Sequence, residues 1–224
     1  MKYAHSTSWK QHSQVFDERA AEYDSWFDDS LLFEIELSAI QSLTPSNWEP
    51  ALEIGVGPGR FAQEMNTTFG LDPAKAPLEL SRQRGIAVCQ GQAEALPLQS
   101  NTLQGIAILF TLCFLENPQL TLKECARVLK PGGHLLIGIV PARSVWGQAL
   151  NKKKEADHPF YRTANFLSIA ELMPMLENAG LSVVQNCSTL FQKPKQVTEP
   201  ETARPGLNEQ AGFVVILCQP TPQY

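Results

Sequence analysis

The sequence has no long hydrophobic run, no excess of basic charge and no paired cysteine motif, and each absence removes a class of function. No apolar stretch approaches the length of a membrane span, and residues 1–10 hold no apolar segment of the kind that opens a secretory signal. The expected location is cytoplasmic. Eighteen Lys and Arg stand against 23 Asp and Glu, a net charge of −5. A nucleic-acid backbone as main partner would need a basic face, so none is expected. The one basic run, Lys152-Lys153-Lys154, is read as a solvated loop. Cys89, Cys113, Cys125, Cys187 and Cys218 are scattered, odd in number and without a CxxC pair, which argues against a disulfide framework. They are read as small buried hydrophobes, and no metal site is expected.

What is present is a chain of 224 residues, 43% hydrophobic and 18% charged, enough for one globular domain over 1–224 with a proper core. Val15, Phe16, Arg19, Ala20, Tyr23 and Phe27 recur at helical spacing across 14–27, and residues 31–43 continue as an amphipathic helix. Both precede the first strand, so residues 1–45 are expected to form a helical lid on the main domain. From residue 51 to 140, short apolar runs alternate with helical patterns. Strands are expected at 51–55, 67–71, 86–89, 105–109 and 134–140, with helices at 60–65, 74–84 and 121–129. That alternation specifies a parallel sheet with right-handed crossovers. Residues 141–165 are long, basic and polar, and 191–210 are rich in Pro, Glu, Thr and Lys; both are read as inserted loops. Ser168 with Glu171 has capping-box spacing at the head of a helix over 168–179. Two closing strands, 181–190 and 212–218, follow one another without a helix, as an antiparallel edge hairpin does. The expected fold is α/β: a three-layer Rossmann-like sandwich around a mostly parallel seven-stranded sheet.

The stretch that carries chemistry is Glu53-Ile54-Gly55-Val56-Gly57-Pro58-Gly59, where a buried strand breaks into a glycine turn before a helix. Such a turn lets a ligand approach the backbone. A dinucleotide fingerprint is GxGxxG, fitted to a diphosphate at a helix N-terminus. Here the spacing is one residue shorter, and Glu53 is poorly placed for a diphosphate but suits a cation.

With its flanks, this loop resembles motif I of the class I S-adenosylmethionine-dependent methyltransferases. Gly70-Leu71-Asp72-Pro73 is similar to their second motif. Gly91-Gln92-Ala93-Glu94-Ala95-Leu96-Pro97-Leu98 resembles the family's loop after strand three, and Glu124-x-x-Arg127-Val128-Leu129-Lys130-Pro131-Gly132-Gly133 the helix and turn before strand five. The likeness covers residues 48–140 closely, in the subgroup that includes the ubiquinone/menaquinone-biosynthesis enzymes. It implies S-adenosyl-L-methionine as cofactor and S-adenosyl-L-homocysteine as product. It also implies cofactor contacts from Glu53, Gly55, Gly57, Gly59, Asp72, Pro73, Gln92, Ala93 and Phe110. Asp72 would accept two hydrogen bonds from the ribose diol, although an Asp-Pro turn capping the next helix explains it too. Gln92 stands where the family usually has Asp. Ala20-x-x-Tyr23-Asp24-x-Trp26 resembles a segment that folds over the cofactor, which makes Tyr23 the expected lid contact.

Methyl transfer depends on alignment and needs a base only when the acceptor atom starts protonated. No catalytic residue is therefore singled out. The lid candidates are Tyr23, His158 and Tyr161, with His5 and His12 behind them. Cys113 is read as packed rather than nucleophilic. With no recognition domain or basic surface in view, the expected acceptor is a small molecule and the expected state a monomer or homodimer. A SAM-binding module without transfer, and an NAD(P)-dependent oxidoreductase, are the alternatives.

Overall fold

A computed structural model describes residues 8–221, with side chains from residue 13 onward. Strands β1 (Ala51–Ile54), β2 (Phe69–Asp72), β3 (Ala87–Gln90), β4 (Leu103–Leu109) and β5 (Leu129–Ile139) alternate with helices α4 (Arg60–Glu64), α5 (Lys75–Gln83) and α6 (Pro118–Val128). Ahead of them lie α1 (Ser8–Glu18), α2 (Ala20–Ser25) and α3 (Leu31–Leu43). After them come α7 (Val145–Glu155), α8 (Ile169–Asn178), β6 (Leu181–Thr189), β7 (Arg204–Pro205) and β8 (Phe213–Pro220).

The sheet order is β3-β2-β1-β4-β5-β8-β6-β7. Strands β1 to β5 pair in parallel, and β8 runs antiparallel between β5 and β6. The seven expected strands are all present; the eighth is the two-residue β7, which pairs with β6. Side chains alternate across the sheet, as a strand demands. On β4, Ile106 and Ile108 pack with Leu122 of α6 and Leu172 of α8, while Ala107 and Leu109 face Ile40 of α3 and Phe61 of α4. Both faces are therefore covered, which is why these strands are apolar without interruption. The chain leaves β1 toward β2 and β3, then returns to β4 on the other side of β1. The carboxyl ends of β1 and β4 thus flank the crevice that a doubly wound sheet offers to ligands.

Two expected loops differ in the structure. Residues 141–165 are not irregular: α7 occupies their first half. Ser144 caps it by accepting from the Gly147 N–H at 3.0 Å, and Lys152, Lys153 and Lys154 fall in its last turn, where positive charge complements the helix dipole. Residues 191–210 are a loop apart from β7, but a tethered one. The Glu201 carboxylate accepts from the N–H groups of Phe191 and Gln192 at 2.8 and 3.0 Å. The helix over 14–27 is divided at Arg19, whose φ of −126° and ψ of 31° leave the helical region. The capping box at Ser168 and Glu171 forms as its spacing requires.

The N-terminal helices are tied to the sheet domain by charge. Asp24 on α2 takes Arg60, the first residue of α4, through Nε at 2.7 Å and Nη2 at 2.9 Å, and Arg84 beyond α5 at 2.9 Å. Asp28 holds Arg60 at 2.7 Å, and Asp17 on α1 accepts from the Ala76 N–H at 2.7 Å. The two arginines hold the Asp24 carboxyl below its ordinary range against the opposing effect of burial. Among the described residues, no helix is long and apolar enough to cross a membrane.

Asp24→Asn is expected to loosen this tie by about 2 kcal/mol, since hydrogen bonds to charged groups carry about that much. Hydrogen exchange should speed up in residues 13–28 and not in the central strands. Equal protection across α2 in parent and variant would show that the ion pairs do not hold the lid.

Candidate functional site

The glycine turn after β1 is built around Asp72, the last residue of β2. Its Oδ2 accepts from the Gly57 N–H at 2.9 Å and its Oδ1 from the Ala74 N–H at 2.8 Å. The Asp-Pro turn and the loop contact are therefore made by one carboxylate, which joins the ends of two parallel strands. It is 9% exposed, and burial pushes its pKa up to about 6 although both donors pull it down.

The three loop glycines do different work. Gly57, with φ of +50°, would place a Cβ at ordinary van der Waals distance, 3.6 Å, from the Tyr23 ring, so the bare Cα leaves the gap between loop and ring unfilled. Gly59, with φ of +82°, caps α4, and a Cβ there would lie 2.6 Å from Ile86 and 2.7 Å from the Ser81 hydroxyl. Gly59 thus serves close packing against α5 and does not reach the cavity. Gly55 does, beside Thr111.

Glu53 also sits behind the loop. Its carboxylate accepts from the Ala62 N–H in the first turn of α4, a cap that Gly59 has no side chain to provide. The other oxygen, Oε2, is buried without a partner. Burial, and after it the charge of Asp72, raise the Glu53 pKa well above the ordinary carboxylate range.

Gly55, Gly57, Asp72, Pro73, Gln92 and Ala93 line one cavity, closed from above by Tyr23 and from the β4 end by Phe110. The Gln92-Ala93 loop is held from α6. Glu124 accepts from the Leu96 N–H at 3.0 Å, and Arg127 donates to the carbonyls of Leu96 and Leu98 at 3.3 and 2.9 Å. That is the structural content of the Glu124-x-x-Arg127 spacing. Phe110 has a φ of +56°, a strained conformation for an aromatic residue, costing about 1–3 kcal/mol. Its ring stacks on Phe213 at 4.7 Å, which anchors the floor of the cavity.

A second cavity of about 370 Å³ adjoins the first. Phe16, Tyr23, Phe110 and Phe114 line both. Its walls come from the lid and from residues 146–167: Trp26, Phe33, Trp146, Tyr161 and Phe166 face it, and Phe160 ties the wall together by contacts with Phe16, Tyr23 and Trp26. Burial raises the pKa of the Tyr23 and Tyr161 phenols, so both stay protonated at neutral pH. Cys113 also faces this cavity; burial lifts its thiol to about 12, and a protonated thiol is not a nucleophile. His158 lines neither cavity; its ring lies against Tyr161 at 5.1 Å. His5 and the side chain of His12 lie outside the described residues.

The acid that does face the second cavity is Glu36 on α3, which the sequence reading passed over. It is 8% exposed, and burial alone drives its pKa up to about 8. A signal was available: Leu32, Glu36 and Ile40 are spaced four apart, so Glu36 is an acid on the apolar stripe of an amphipathic helix.

Comparison with known proteins gives a consistent family. The model of the methyltransferase domain family matches residues 52–137. A protein of Methanocaldococcus jannaschii, described as uncharacterized, is 37% identical, the alignment spanning 90% of this chain and 97% of that one. The crystal structure of a SAM-dependent methyltransferase of Thermotoga maritima, described as a possible histamine N-methyltransferase, is 36% identical with a TM-score of 0.87, over 94% of this chain and 100% of that one. A ubiquinone/menaquinone biosynthesis C-methyltransferase of Syntrophotalea carbinolica is 30% identical over 55% of this chain and 58% of its own.

The buried acids set a pH dependence. Glu36, at about 8 against an ordinary 4.5, and Asp72, at about 6 against 3.8, keep protons in the folded chain where the unfolded chain has lost them. The folded state then binds more protons, and stability falls as pH rises through that range. The ligand-free protein should melt higher near about pH 5.5 than near about pH 8.5, and Glu36→Gln should make the curve shallower above about pH 6.5, where Glu53, also raised, keeps part of the fall. An unchanged slope in that variant would mean that Glu36 is not an unpaired buried acid.

Proposed function

The chain belongs to the class I S-adenosylmethionine-dependent methyltransferases and transfers a methyl group from that donor, and we propose that its acceptor is a small molecule held in the aromatic cavity. The observation that carries this is the shared rim. The cavity against the glycine turn and the cavity under the lid meet at Phe16, Tyr23, Phe110 and Phe114. Two ligands seated there would face each other across one boundary, as in-line displacement requires.

The residues around the first cavity fit the donor. Gly57, with no side chain between its backbone and the Tyr23 ring, admits a ligand against the backbone, and Asp72 keeps free lone pairs on a buried carboxylate. The orphaned Glu53 Oε2 is the leftover acceptor beside a loop that would take a cationic amino-acid group. In this assignment Gly55 and Gly57 hold the amino-acid end. Asp72 accepts from the ribose hydroxyls, Pro73, Gln92 and Ala93 border the adenine, and Tyr23 and Phe110 close the reacting end. Glu53 and Gly59 act through the loop, by capping and packing α4. Bound there, S-adenosylmethionine supplies a methyl on a sulfonium that departs as a neutral thioether. The protein therefore has no leaving anion to stabilise, and its residues orient, desolvate and exclude water. The aromatic walls and the single enclosed acid favour a small, largely apolar acceptor over a macromolecule.

Gly57→Val and Asp72→Ala should each weaken S-adenosylhomocysteine binding at least about tenfold by calorimetry, with the far-ultraviolet circular dichroism of the parent retained. Parent-like affinity in both would sink the cavity assignment. Metabolite fractions incubated with methyl-labelled donor should yield a labelled small product, whereas label confined to protein or nucleic acid would overturn the proposed acceptor class.

A further inference from the structure

Resting on the assignment of the two cavities, we propose that the acceptor is an amine with an apolar body, received by the Glu36 carboxylate inside an aromatic box, and that the enzyme methylates nitrogen. Three observations carry it. First, Glu36 is more than nine-tenths buried and lines the cavity, yet among the described residues its carboxyl makes no hydrogen bond or ion pair. A buried acid without a partner is costly, and a site that retains one has a use for it. Second, the surroundings are faces and edges of aromatic rings: Tyr23, Trp26, Phe33, Tyr161 and Phe166. Aromatic faces attract an organic cation, and they pack its hydrocarbon body. A buried carboxylate among rings thus suits an ammonium better than a neutral or anionic group. Third, the position is right. Tyr23 lies on the rim shared with the first cavity, and the charge of Glu36 is felt by the phenols of both Tyr23 and Tyr161.

The groups facing Glu36 leave it the proton acceptor. Tyr23 from α2, Tyr161 from the segment after α7 and Cys113 after β4 are all held protonated by burial. Lys153 of α7, the other charged lining residue, is exposed and stands over the Tyr161 ring at 5.3 Å, so it is not a base near the buried acid. With its pKa near 8, the empty-site carboxyl holds a proton at pH 7. An arriving ammonium displaces that proton to solvent and leaves an ion pair. For transfer, an N–H proton passes to the Glu36 carboxylate and frees the nitrogen lone pair. That pair forms the N–C bond while the C–S bond breaks, its electrons remaining on sulfur. The product is the N-methylammonium, and Glu36 keeps the proton it took and so returns to its starting protonated state; the one proton given to solvent on binding is the net release of each turnover.

Binding can be measured without the methyl donor. Phenethylamine, its neutral analogue 2-phenylethanol and its anionic analogue 3-phenylpropanoate are titrated into the ligand-free protein by calorimetry in buffers of different ionisation enthalpy, with S-adenosylhomocysteine as control. The amine is expected to bind at least about tenfold tighter than the alcohol, with about one proton released near pH 7, and the anion not at all. Glu36→Gln should erase both the preference and the proton release while S-adenosylhomocysteine affinity stays at the parent value. Equal binding of amine and alcohol, tighter binding of the anion, no amine binding, or a preference that survives Glu36→Gln would each overturn the proposal. Loss of S-adenosylhomocysteine binding in the parent protein would instead overturn the assignment of the first cavity.

Discussion

One buried carboxylate organises the site. Asp72 ends β2, and its two oxygens take the Gly57 and Ala74 N–H groups. It thereby fixes the glycine turn after β1 against the start of the segment leading into α5. The turn could not be tied this way if the strands were not adjacent and parallel, and the sheet order supplies that adjacency. Ser81 on α5 completes the arrangement by donating to the Gly57 carbonyl at 2.7 Å. The floor of the first cavity is therefore rigid backbone held by strand ends, which is where preorganisation is least costly to maintain.

The roof is held differently. Asp24 with Arg60 and Arg84, and Asp17 with the Ala76 N–H, bring α1 and α2 down on α4 and α5. This places Tyr23 over Gly57 and makes it a wall of both cavities. The aromatic side of the roof is completed from far along the chain, by Phe160, Tyr161 and Phe166. In the proposed assignment, ligand selection falls to segments outside the sheet and donor binding to the sheet's strand ends. The family match, over residues 52–137, holds the strand-end side of both cavities but none of the walls that come from α1 to α3 and from residues 139–167.

How far the sequence could be read follows that division. The central strands were legible because they are buried on both faces, and the glycine turn because its spacing departs from the dinucleotide pattern and its flanks match the family's motifs. Asp72, Pro73, Gln92 and Ala93 were expected together from the resemblance to the family's motifs, and the structure brings all four to one cavity. Four features were not. The helix Val145–Glu155 was hidden because its apolar residues are few, and its three lysines read as a loop when they in fact suit a helix C-terminus. Gly59 and Glu53 share the motif with Gly57, and no spacing rule separates a residue that lines the cavity from one that packs or caps behind it. His158 looked chemical by type, but its ring lies against Tyr161 outside both cavities. Glu36 was obscured by its neighbours: in a helix of apolar periodicity the eye follows Ile35, Ala39 and Ile40 and treats the acid as surface.

The central claim is that donor and acceptor occupy two cavities meeting at Phe16, Tyr23, Phe110 and Phe114. A crystal structure of the protein with S-adenosylhomocysteine tests it most directly. The account predicts the ribose against Asp72, the amino-acid end along Gly55–Gly57, and the sulfur pointing through that rim toward Glu36 and the aromatic walls. A ligand seated elsewhere, or one whose sulfur turns away from the second cavity, would contradict it.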